Sequence, residues 1–324
     1  MIFKKINAFF NPAYFQGWGK QANYFEGWYF KVLNADGSKA FAFIPGIAMD
    51  KEGNKQSFVQ VLNGRKKTAV YHKFPASDFK PSPTEFYVEV NTNRFSSSYI
   101  SLNLPGAIGT LTFNGNRPWP NSFFSPGIMG PFSFVPFMEC YHGIVSMDHS
   151  ISGKLVIDDE EIDFENGRGY IEKDWGRSFP SAYIWLQSNH FSTPGISLKT
   201  SIAKIPWLGS SFVGFIAGLH LHDQLIQFTT YNRTSLKKSF ANDKEVGIVL
   251  ENNKYRLEIN AKRDQATALA SPILGLMDGR IEESMSSEVE VKLYDKRNNS
   301  LIFHDIGKHT ALEVAGQIDQ ILVG

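Results

Sequence analysis

The chain of 324 residues contains one cysteine, Cys140, which excludes an internal disulfide and is typical of proteins in a reducing compartment. It lacks an excess of either charge, because 33 lysines and arginines face 32 aspartates and glutamates, and this balance excludes the basic surface of a nucleic-acid-binding protein. The longest apolar stretch, SSFVGFIAGLHLH from Ser210, is shorter than the roughly 20 residues that a membrane-spanning helix needs. The N-terminal MIFKKINAFFNPAYF lacks the apolar core and cleavage site of a signal peptide. We therefore expect a soluble, cytoplasmic protein without a nucleic-acid partner.

Aromatic residues, in contrast, are abundant. They make up 14% of the chain and include 27 phenylalanines. Such residues favour strands and line apolar cavities. Many of them stand beside polar groups, as in GYIEKDWGRSFPSAYIWLQSN at residues 169–189, and a plain hydrophobic core does not require that. The mixture is more typical of the lining of a cavity.

Alternation of apolar and polar residues dominates the chain, and long amphipathic helical patterns are scarce. We predict about sixteen short strands, the first at residues 24–33 and the last at 301–304, separated by turn sequences such as Asn114-Gly115-Asn116. The last twenty residues are compatible with a strand at 310–314 or with a short helix. This pattern predicts an all-β protein with antiparallel sheets, curled into barrels or packed as a sandwich.

The length of the chain predicts two such domains, because one eight-stranded barrel uses about 130–170 residues. Residues 118–136, PWPNSFFSPGIMGPFSFVP, contain too many prolines for a central strand and read as a loop near the junction. We place the boundary near residue 145, which gives an N-terminal barrel of residues 1–145 and a C-terminal barrel of residues 146–324.

Alternation also predicts where charged side chains point. In NYFEGWYFKV, Glu26 shares a face with Trp28 and Phe30, whereas Tyr29 and Lys31 point to the opposite side. In a closed barrel the face of Glu26 is the interior. A lone buried carboxylate is costly, so Glu26 must be paired, hydrogen-bonded or protonated.

Three further segments place polar groups on shared faces. In YIWLQSNHF, one face carries an aromatic and amide stripe opposite two aliphatic residues; the stripe comprises Tyr183, Trp185, Gln187, Asn189 and Phe191. In FMECYHGI, Glu139 and Tyr141 share one face, and Cys140 and His142 the other. In GYIEKDW, Glu172 and Asp174 point together if the segment is extended.

Structural roles compete with these readings. Glu26 could form an ion pair with Lys31, Lys173 or an arginine, and His142 taken alone is typical of a satisfied structural histidine. His220 and His222 share a strand face, but no cysteine or acidic partner stands at a spacing diagnostic of zinc. We therefore expect no metal.

Several segments together resemble the tocopherol cyclase family. They are YFEGWYFKV (24–32), GPFSFVPFMECYHGIVSMDHSISG (130–153), GYIEKDWGRSFPSAYIWLQSN (169–189), SPILGLMDGRIEESMSSEVEVKLYD (271–295) and TALEVAG (310–316). The resemblance implies two consecutive antiparallel lipocalin-like barrels packed together, similar also to carotenoid hydratases and lipocalin-like Diels–Alderases. Plant members carry a plastid transit segment, and the family-like region here begins near residue 11, so we expect a bacterial or cytosolic homologue.

The resemblance further implies a cofactor-free reaction in which a prenylated hydroquinone closes onto its own side chain to give a chromanol. Such a reaction needs an acid to protonate an alkene, shelter for a tertiary cation and a base near the phenol. The candidate catalytic residues are Glu172, Asp174, Glu26 and Glu139, with Glu172 or Asp174 as the acid and Lys173 facing away. The candidate substrate-binding residues are Trp28, Tyr29, Tyr141, His142, Trp175, Trp185, Gln187 and Asn189.

Two other functions fit the same sequence. A lipocalin-like barrel without catalysis would carry a lipid or isoprenoid. A related hydratase or cyclase would use the same acid on another terpenoid. All three functions require a hydrophobic small-molecule partner, and an oily substrate suggests peripheral contact with a membrane.

Overall fold

The computed structural model describes all residues 1–324 and is built almost entirely of strands. One α-helix, α1 (Ile2–Phe10), precedes the strands, and three 3-10 turns span Ala76–Asp78, Gly127–Phe134 and Ile318–Gln320. The first sheet contains β1 (Tyr24–Leu33), β2 (Ala40–Met49), β3 (Lys55–Asn63), β4 (Thr68–Pro75), β5 (Phe79–Pro81), β6 (Tyr87–Val90), β7 (Asn93–Ser96), β8 (Tyr99–Leu104), β9 (Ala107–Asn114), β10 (Cys140–Ile157), β11 (Glu160–Asp163) and β12 (Gly167–Gly176). The second sheet contains β13 (Ala182–Ser188), β14 (Ser197–Trp207), β15 (Ser210–Leu221), β16 (Gln224–Thr229), β17 (Ser235–Ala241), β18 (Glu245–Glu251), β19 (Tyr255–Lys262), β20 (Thr267–Ile273), β21 (Leu276–Asp295) and β22 (Ser300–Gly316).

The first sheet curls because its terminal strands are neighbours in the chain. Its order is β4-β3-β2-β1-β12-β10-β9-β8-β7-β6-β5, with β11 paired to β10. The turn Ala76–Asp78 joins β4 directly to β5, so the two ends of the sheet are held close together. The N-terminal hairpins and the β10–β12 hairpin meet where β1 pairs with β12.

Aromatic side chains fill the concave side of this sheet. Trp28 stacks on Phe86 with ring centroids 5.7 Å apart, and Phe30 lies 5.7 Å from Phe95 and 6.1 Å from Phe113. Trp28 and Phe30 are fully buried, which confirms that the face of β1 carrying Glu26 points into the interior. Rings at these separations are in contact, so they form an aromatic core on this side of the sheet.

The second sheet repeats the arrangement. Its order is β16-β15-β14-β13-β22-β21-β19-β18-β17, with β20 paired to β21, and its terminal strands β16 and β17 are again consecutive in the chain. Ile184 and Leu186 of β13 lie in its core, so the aromatic and amide stripe occupies the other face of this strand. The expectation of an all-β protein with two antiparallel, barrel-like sheets is therefore confirmed.

The two compact units are not simple halves of the chain. One comprises Met1–Phe179 and Leu269–Arg280, and the other comprises Pro180–Ala268 and Ile281–Gly324. The boundary expected near residue 145 falls inside β10, which runs unbroken from Cys140 to Ile157 because it pairs with both β9 and β12.

The hairpin of residues 269–280 belongs to the first unit through specific bonds. The backbone N–H of Ala270 donates to Oε1 of Gln60 at 2.9 Å, and the N–H of Leu274 donates to Oγ of Ser178 at 2.8 Å. The N–H of Gly275 donates to the carbonyl of Arg177 at 2.8 Å. The prediction of two consecutive barrels does not include a hairpin from the second half of the chain that belongs to the first unit.

Two predictions about individual segments are confirmed, and one element of the structure was not predicted. The segment at 310–314 is a strand within β22, and residues 118–136 form a loop around the turn Gly127–Phe134, as expected. Helix α1 was not expected, because nine residues are too few to produce a long helical period. No helix combines the length and the apolar character that crossing a membrane requires.

A buried histidine makes the stability of the first unit depend on pH. His149 is 2% exposed, Phe113 lies against its ring at 4.6 Å, and its Nδ1 lies 3.1 Å from Oγ of Ser146. Burial lowers the pKa of His149 to about 3, and the charge of Arg168 acts in the same direction. Folded His149 therefore stays neutral at pH values at which the unfolded chain takes up a proton.

We predict that this difference destabilises the fold as pH falls from about 6.5 toward 3, by about 1.4 kcal/mol per pH unit. The substitution His149→Gln removes the titrating group and should make the dependence shallower by that amount. Urea denaturation of both proteins at pH 7, 6, 5 and 4 measures the two slopes. Parallel slopes would show that His149 does not remain neutral in the folded protein.

Candidate functional site

Glu26 forms a fully buried ion pair with Lys173 inside the first unit. Both side chains have no exposed area, and Nζ of Lys173 lies 2.6 Å from Oε1 of Glu26. The hydroxyl of Tyr24 donates to Oε2 at 2.5 Å, and the backbone N–H groups of Gln16 and Gly17 donate to the same carboxylate. Glu26 is thus paired and hydrogen-bonded, which is one of the alternatives that the sequence left open.

Lys173 in turn holds the N-terminal segment against the barrel. Its ammonium donates to the carbonyls of Pro12 and Tyr14 and lies 4.8 Å and 4.7 Å from the ring centroids of Trp28 and Trp175. Burial lowers the pKa of Lys173 to about 8, while the charge of Glu26 acts in the opposite direction. The lysine is therefore still predominantly charged at neutral pH, and this charge makes both tryptophans poor candidates for sheltering a carbocation.

The inward position of Lys173 determines where its neighbours point. Because side chains alternate along a strand, Glu172 and Asp174 must project from the opposite, outer face of β12. The strand register agrees, since Asp174 lies opposite His142 of β10 and Glu172 lies opposite Tyr29 of β1. The outer face of the first sheet thus carries an acidic cluster, defined here as His142, Glu172 and Asp174.

His142 lies between the two carboxyl groups. Its Nδ1 is 2.6 Å from Oδ1 of Asp174, and its Nε2 is 3.6 Å from Oε2 of Glu172. The exposed fractions of the side chains are 14% for His142, 6% for Glu172 and 23% for Asp174. The cluster is therefore sheltered from water, and Asp174 is its most accessible member.

Tyr170 extends the cluster along β12. Its hydroxyl donates to Oε2 of Glu172. Burial raises the pKa of Tyr170 well above its usual value, and the negative charges of Glu172 and Asp174 act in the same direction. Tyr170 therefore remains a protonated donor. The sequence analysis missed this residue, although the alternation in GYIEKDW places it on the same face as Glu172 and Asp174.

The acidic cluster also has the donor set of a cation site. His142, Glu172 and Asp174 each offer one ligand atom, and these atoms lie within 4.8 Å of one another. A nitrogen and two carboxylate oxygens are ligands that zinc accepts. The contact of Nδ1 with Asp174 leaves Nε2 as the imidazole nitrogen available to such an ion.

Other predicted residues of the first unit lie apart from the cluster. Tyr141 stacks on Trp175 at 5.5 Å and donates its hydroxyl to the carbonyl of Val135. Glu139 directly precedes β10, and burial raises the pKa of its carboxyl, while Arg177 acts in the opposite direction. The four predicted catalytic carboxyls therefore separate into the pair Glu172 and Asp174, the paired Glu26, and Glu139.

The second unit has its own buried polar face. Tyr183 donates to Oε2 of Glu313 at 2.7 Å, and Trp185 lies opposite Glu313 in the strand register. Gln187 and Asn189 are buried. The same face contains charged residues that the sequence analysis missed, although alternation along β14, β21 and β22 could have identified them: Lys199, Glu283 and Glu313.

The buried ion pair allows a direct test of stability. We predict that Glu26→Gln destabilises the protein by about 3–5 kcal/mol, because it leaves the ammonium of Lys173 buried without its partner charge. The double variant Glu26→Gln with Lys173→Met should recover part of this loss. Urea denaturation at pH 7 measures both effects.

Lys154 and Glu161 provide a matched control pair on the surface. Their charged atoms are 2.7 Å apart, but their side chains are 55% and 62% exposed. Glu161→Gln should change stability little, because water screens the pair. Equal effects of Glu26→Gln and Glu161→Gln would contradict a structural role for the buried pair.

Comparison with known protein sequences identifies relatives of one kind. A family model described as tocopherol cyclase-like matches residues 117–316. A probable chloroplastic tocopherol cyclase of Oryza sativa subsp. japonica is 26% identical over 199 residues, which cover 58% of this chain and 42% of the rice protein. A chloroplastic tocopherol cyclase of Zea mays is 26% identical over 206 residues, covering 58% and 41%. The matched region thus spans less than half the length of either plant protein.

Solved structures support the architecture. CghA, crystallised with Sch210972, matches with a TM-score of 0.56 at 12% identity, over 90% of this chain and 88% of CghA. A putative AttH from Nitrosomonas europaea matches with a TM-score of 0.50 at 13% identity, over 91% and 93% of the two chains. At such identities the likeness concerns the fold alone, which is of the double lipocalin-like kind. Because the family model matches more than half of its residues, this chain belongs to the tocopherol cyclase-like family.

Proposed function

We propose that this protein cyclises a prenylated, phytyl-type hydroquinone to a chromanol by proton transfer and without a cofactor. The observation that carries the proposal is the acidic cluster, in which His142 lies 2.6 Å from one carboxyl group and 3.6 Å from another within a sheltered, aromatic-rich face. Membership of the tocopherol cyclase-like family supports the reaction type.

The reaction is an isomerisation, so its protons must balance within the site. An acid transfers a proton to one carbon of the alkene, and the other carbon becomes a tertiary cation. The phenol oxygen attacks this cation, which forms the C–O bond of the new ring. A base removes the phenol proton, and that proton must return to the acid before the next turnover.

The geometry suggests a role for each member of the cluster. Asp174 acts as the acid, because it is the most accessible of the three side chains. Glu172 acts as the base and is oriented by the hydroxyl of Tyr170. His142 is hydrogen-bonded to Asp174 through Nδ1, but its Nε2 lies 3.6 Å from Glu172, beyond hydrogen-bond length. A proton taken up by Glu172 returns to Asp174 through the imidazole when a water bridges this gap or substrate binding shortens it. Lys173 takes no part, because it points to the other side of the sheet.

Aromatic shelter contributes less than placement of the acid. Tyr29 lies opposite Glu172 on the outer face, and a ring there would stabilise a cation by roughly 0.5–2 kcal/mol. Enzymes typically lower barriers by about 8–23 kcal/mol. Most of the effect must therefore come from the positioned acid and from folding the prenyl chain so that the phenol oxygen meets the cation. The roles of Trp185, Gln187 and Asn189 in binding substrate remain predictions.

The proposal predicts chromanol formation by the purified protein from a phytyl hydroquinone with nothing else added. Asp174→Asn and Glu172→Gln should each lower kcat by about 100-fold or more, because each removes a group that transfers a proton. The exposed control Glu161→Gln should retain full activity. Chromatography with mass spectrometry measures the product, and full activity in both Asp174→Asn and Glu172→Gln would refute the assignment of acid and base.

Three further measurements separate the alternatives. Activity that persists after dialysis against EDTA is expected for proton transfer, whereas loss and recovery with zinc would assign the cluster to a metal. A product larger than the substrate by one water would indicate a hydratase. Binding of the hydroquinone without turnover, unchanged by Asp174→Asn, would indicate a carrier.

A further inference from the structure

Exposed apolar side chains are concentrated at one place on the first unit. Phe3 of α1 is 83% exposed, and Phe124 of the loop before β10 is 81% exposed. Other apolar residues of these two segments are also exposed, although some, such as Ala8 and Ile128, are buried. We call the set the aromatic surface; it comprises Ile2, Phe3, Ile6, Phe123, Phe124, Phe134 and Phe137.

Helix and loop form one continuous surface because side chains and backbone join them. Phe10 stacks on Phe123 with ring centroids 5.0 Å apart, and Phe9 lies 5.2 Å from Phe134. The side-chain amide of Asn121 donates to the carbonyl of Phe10 at 2.7 Å. One end of α1 is thereby fixed to the loop, while its first turn presents Ile2 and Phe3 to solvent.

The two segments that form this surface carry only positive side chains. Residues 1–25 contain no acidic residue, and residues 118–138 contain no charged residue at all. The only charged side chains in both segments are Lys4, Lys5 and Lys20, all of which are exposed. A chain with balanced overall charge therefore combines, within these segments, a strongly apolar surface with exposed lysines.

We propose that the aromatic surface docks on a bilayer that contains anionic lipids. Exposed phenylalanines enter the boundary between headgroups and acyl chains, and flanking lysines are attracted to anionic headgroups. Contact with a second copy of this chain fits less well, because a twofold interface would bring the lysines of both copies into one contact area, and neither segment supplies an acidic side chain to pair with them.

The surface is also close in sequence to the acidic cluster. Phe137 lies shortly before β10, and β10 carries His142 near its start. An oily ligand dissolved in a bilayer would therefore be close to the strand that carries the imidazole. The docking proposal does not depend on the reaction, because it rests on exposure and charge alone.

Vesicle flotation tests the proposal with the intact protein. The wild type should float with vesicles of phosphatidylcholine and phosphatidylglycerol, and less with phosphatidylcholine alone. Phe3→Ser combined with Phe124→Ser should lower partitioning by about tenfold or more, because two apolar anchors are lost. Lys4→Gln and Lys5→Gln should each lower it about fivefold on the anionic vesicles only.

Leu208→Ser is the matched control, since Leu208 is 78% exposed but lies in the second unit. It should leave flotation unchanged, and all variants should keep the wild-type melting temperature because the altered side chains are exposed. Absence of flotation with anionic vesicles, or an equal loss in Leu208→Ser, would overturn the proposal. So would light scattering that shows a dimer which Phe3→Ser with Phe124→Ser dissociates, because the surface would then bind protein.

Discussion

The buried pair of Glu26 and Lys173 fixes the arrangement on which the proposed chemistry depends. It links β1 to β12, and its remaining hydrogen bonds hold residues 12–17 against the interior. Because Lys173 is held inside, strand alternation directs Glu172 and Asp174 outward, where His142 of the neighbouring strand joins them. A charge pair in the interior thus determines which side of the sheet can carry out acid–base chemistry.

Alternation in the sequence was sufficient to predict the faces of individual strands. It assigned Glu26 to the interior, placed Glu172 and Asp174 together, and separated Ile184 and Leu186 from the aromatic and amide stripe of the same strand, as the structure has them. It could not identify Lys173 as the partner of Glu26, because alternation within one strand does not tell which distant strand lies beside it. That choice depends on which strands pair, and β1 pairs with a strand from the far end of the first unit.

The sequence was less informative about organisation and about small elements. The boundary near residue 145 was inferred from average barrel size, whereas pairing of β12 with β1 keeps residues up to 179 in the first unit. Helix α1 is too short for its period to stand out from a strand-rich background. Tyr170 and Lys199 obey the same alternation as their neighbours. They were not predicted as site residues because the site prediction concentrated on acids and tryptophans.

The hairpin of residues 269–280 has a consequence for biosynthesis. The first unit needs residues 269–280 to satisfy Gln60 and Ser178, and these residues follow most of the second unit in the chain. The first unit emerging from the ribosome therefore lacks these contacts until residue 280 has been made, although all twelve strands of its sheet are already present. Domains usually fold in order as they are synthesised; here the first unit gains its last contacts only after most of the second has been made, and truncation before residue 269 leaves Gln60 and Ser178 without these partners.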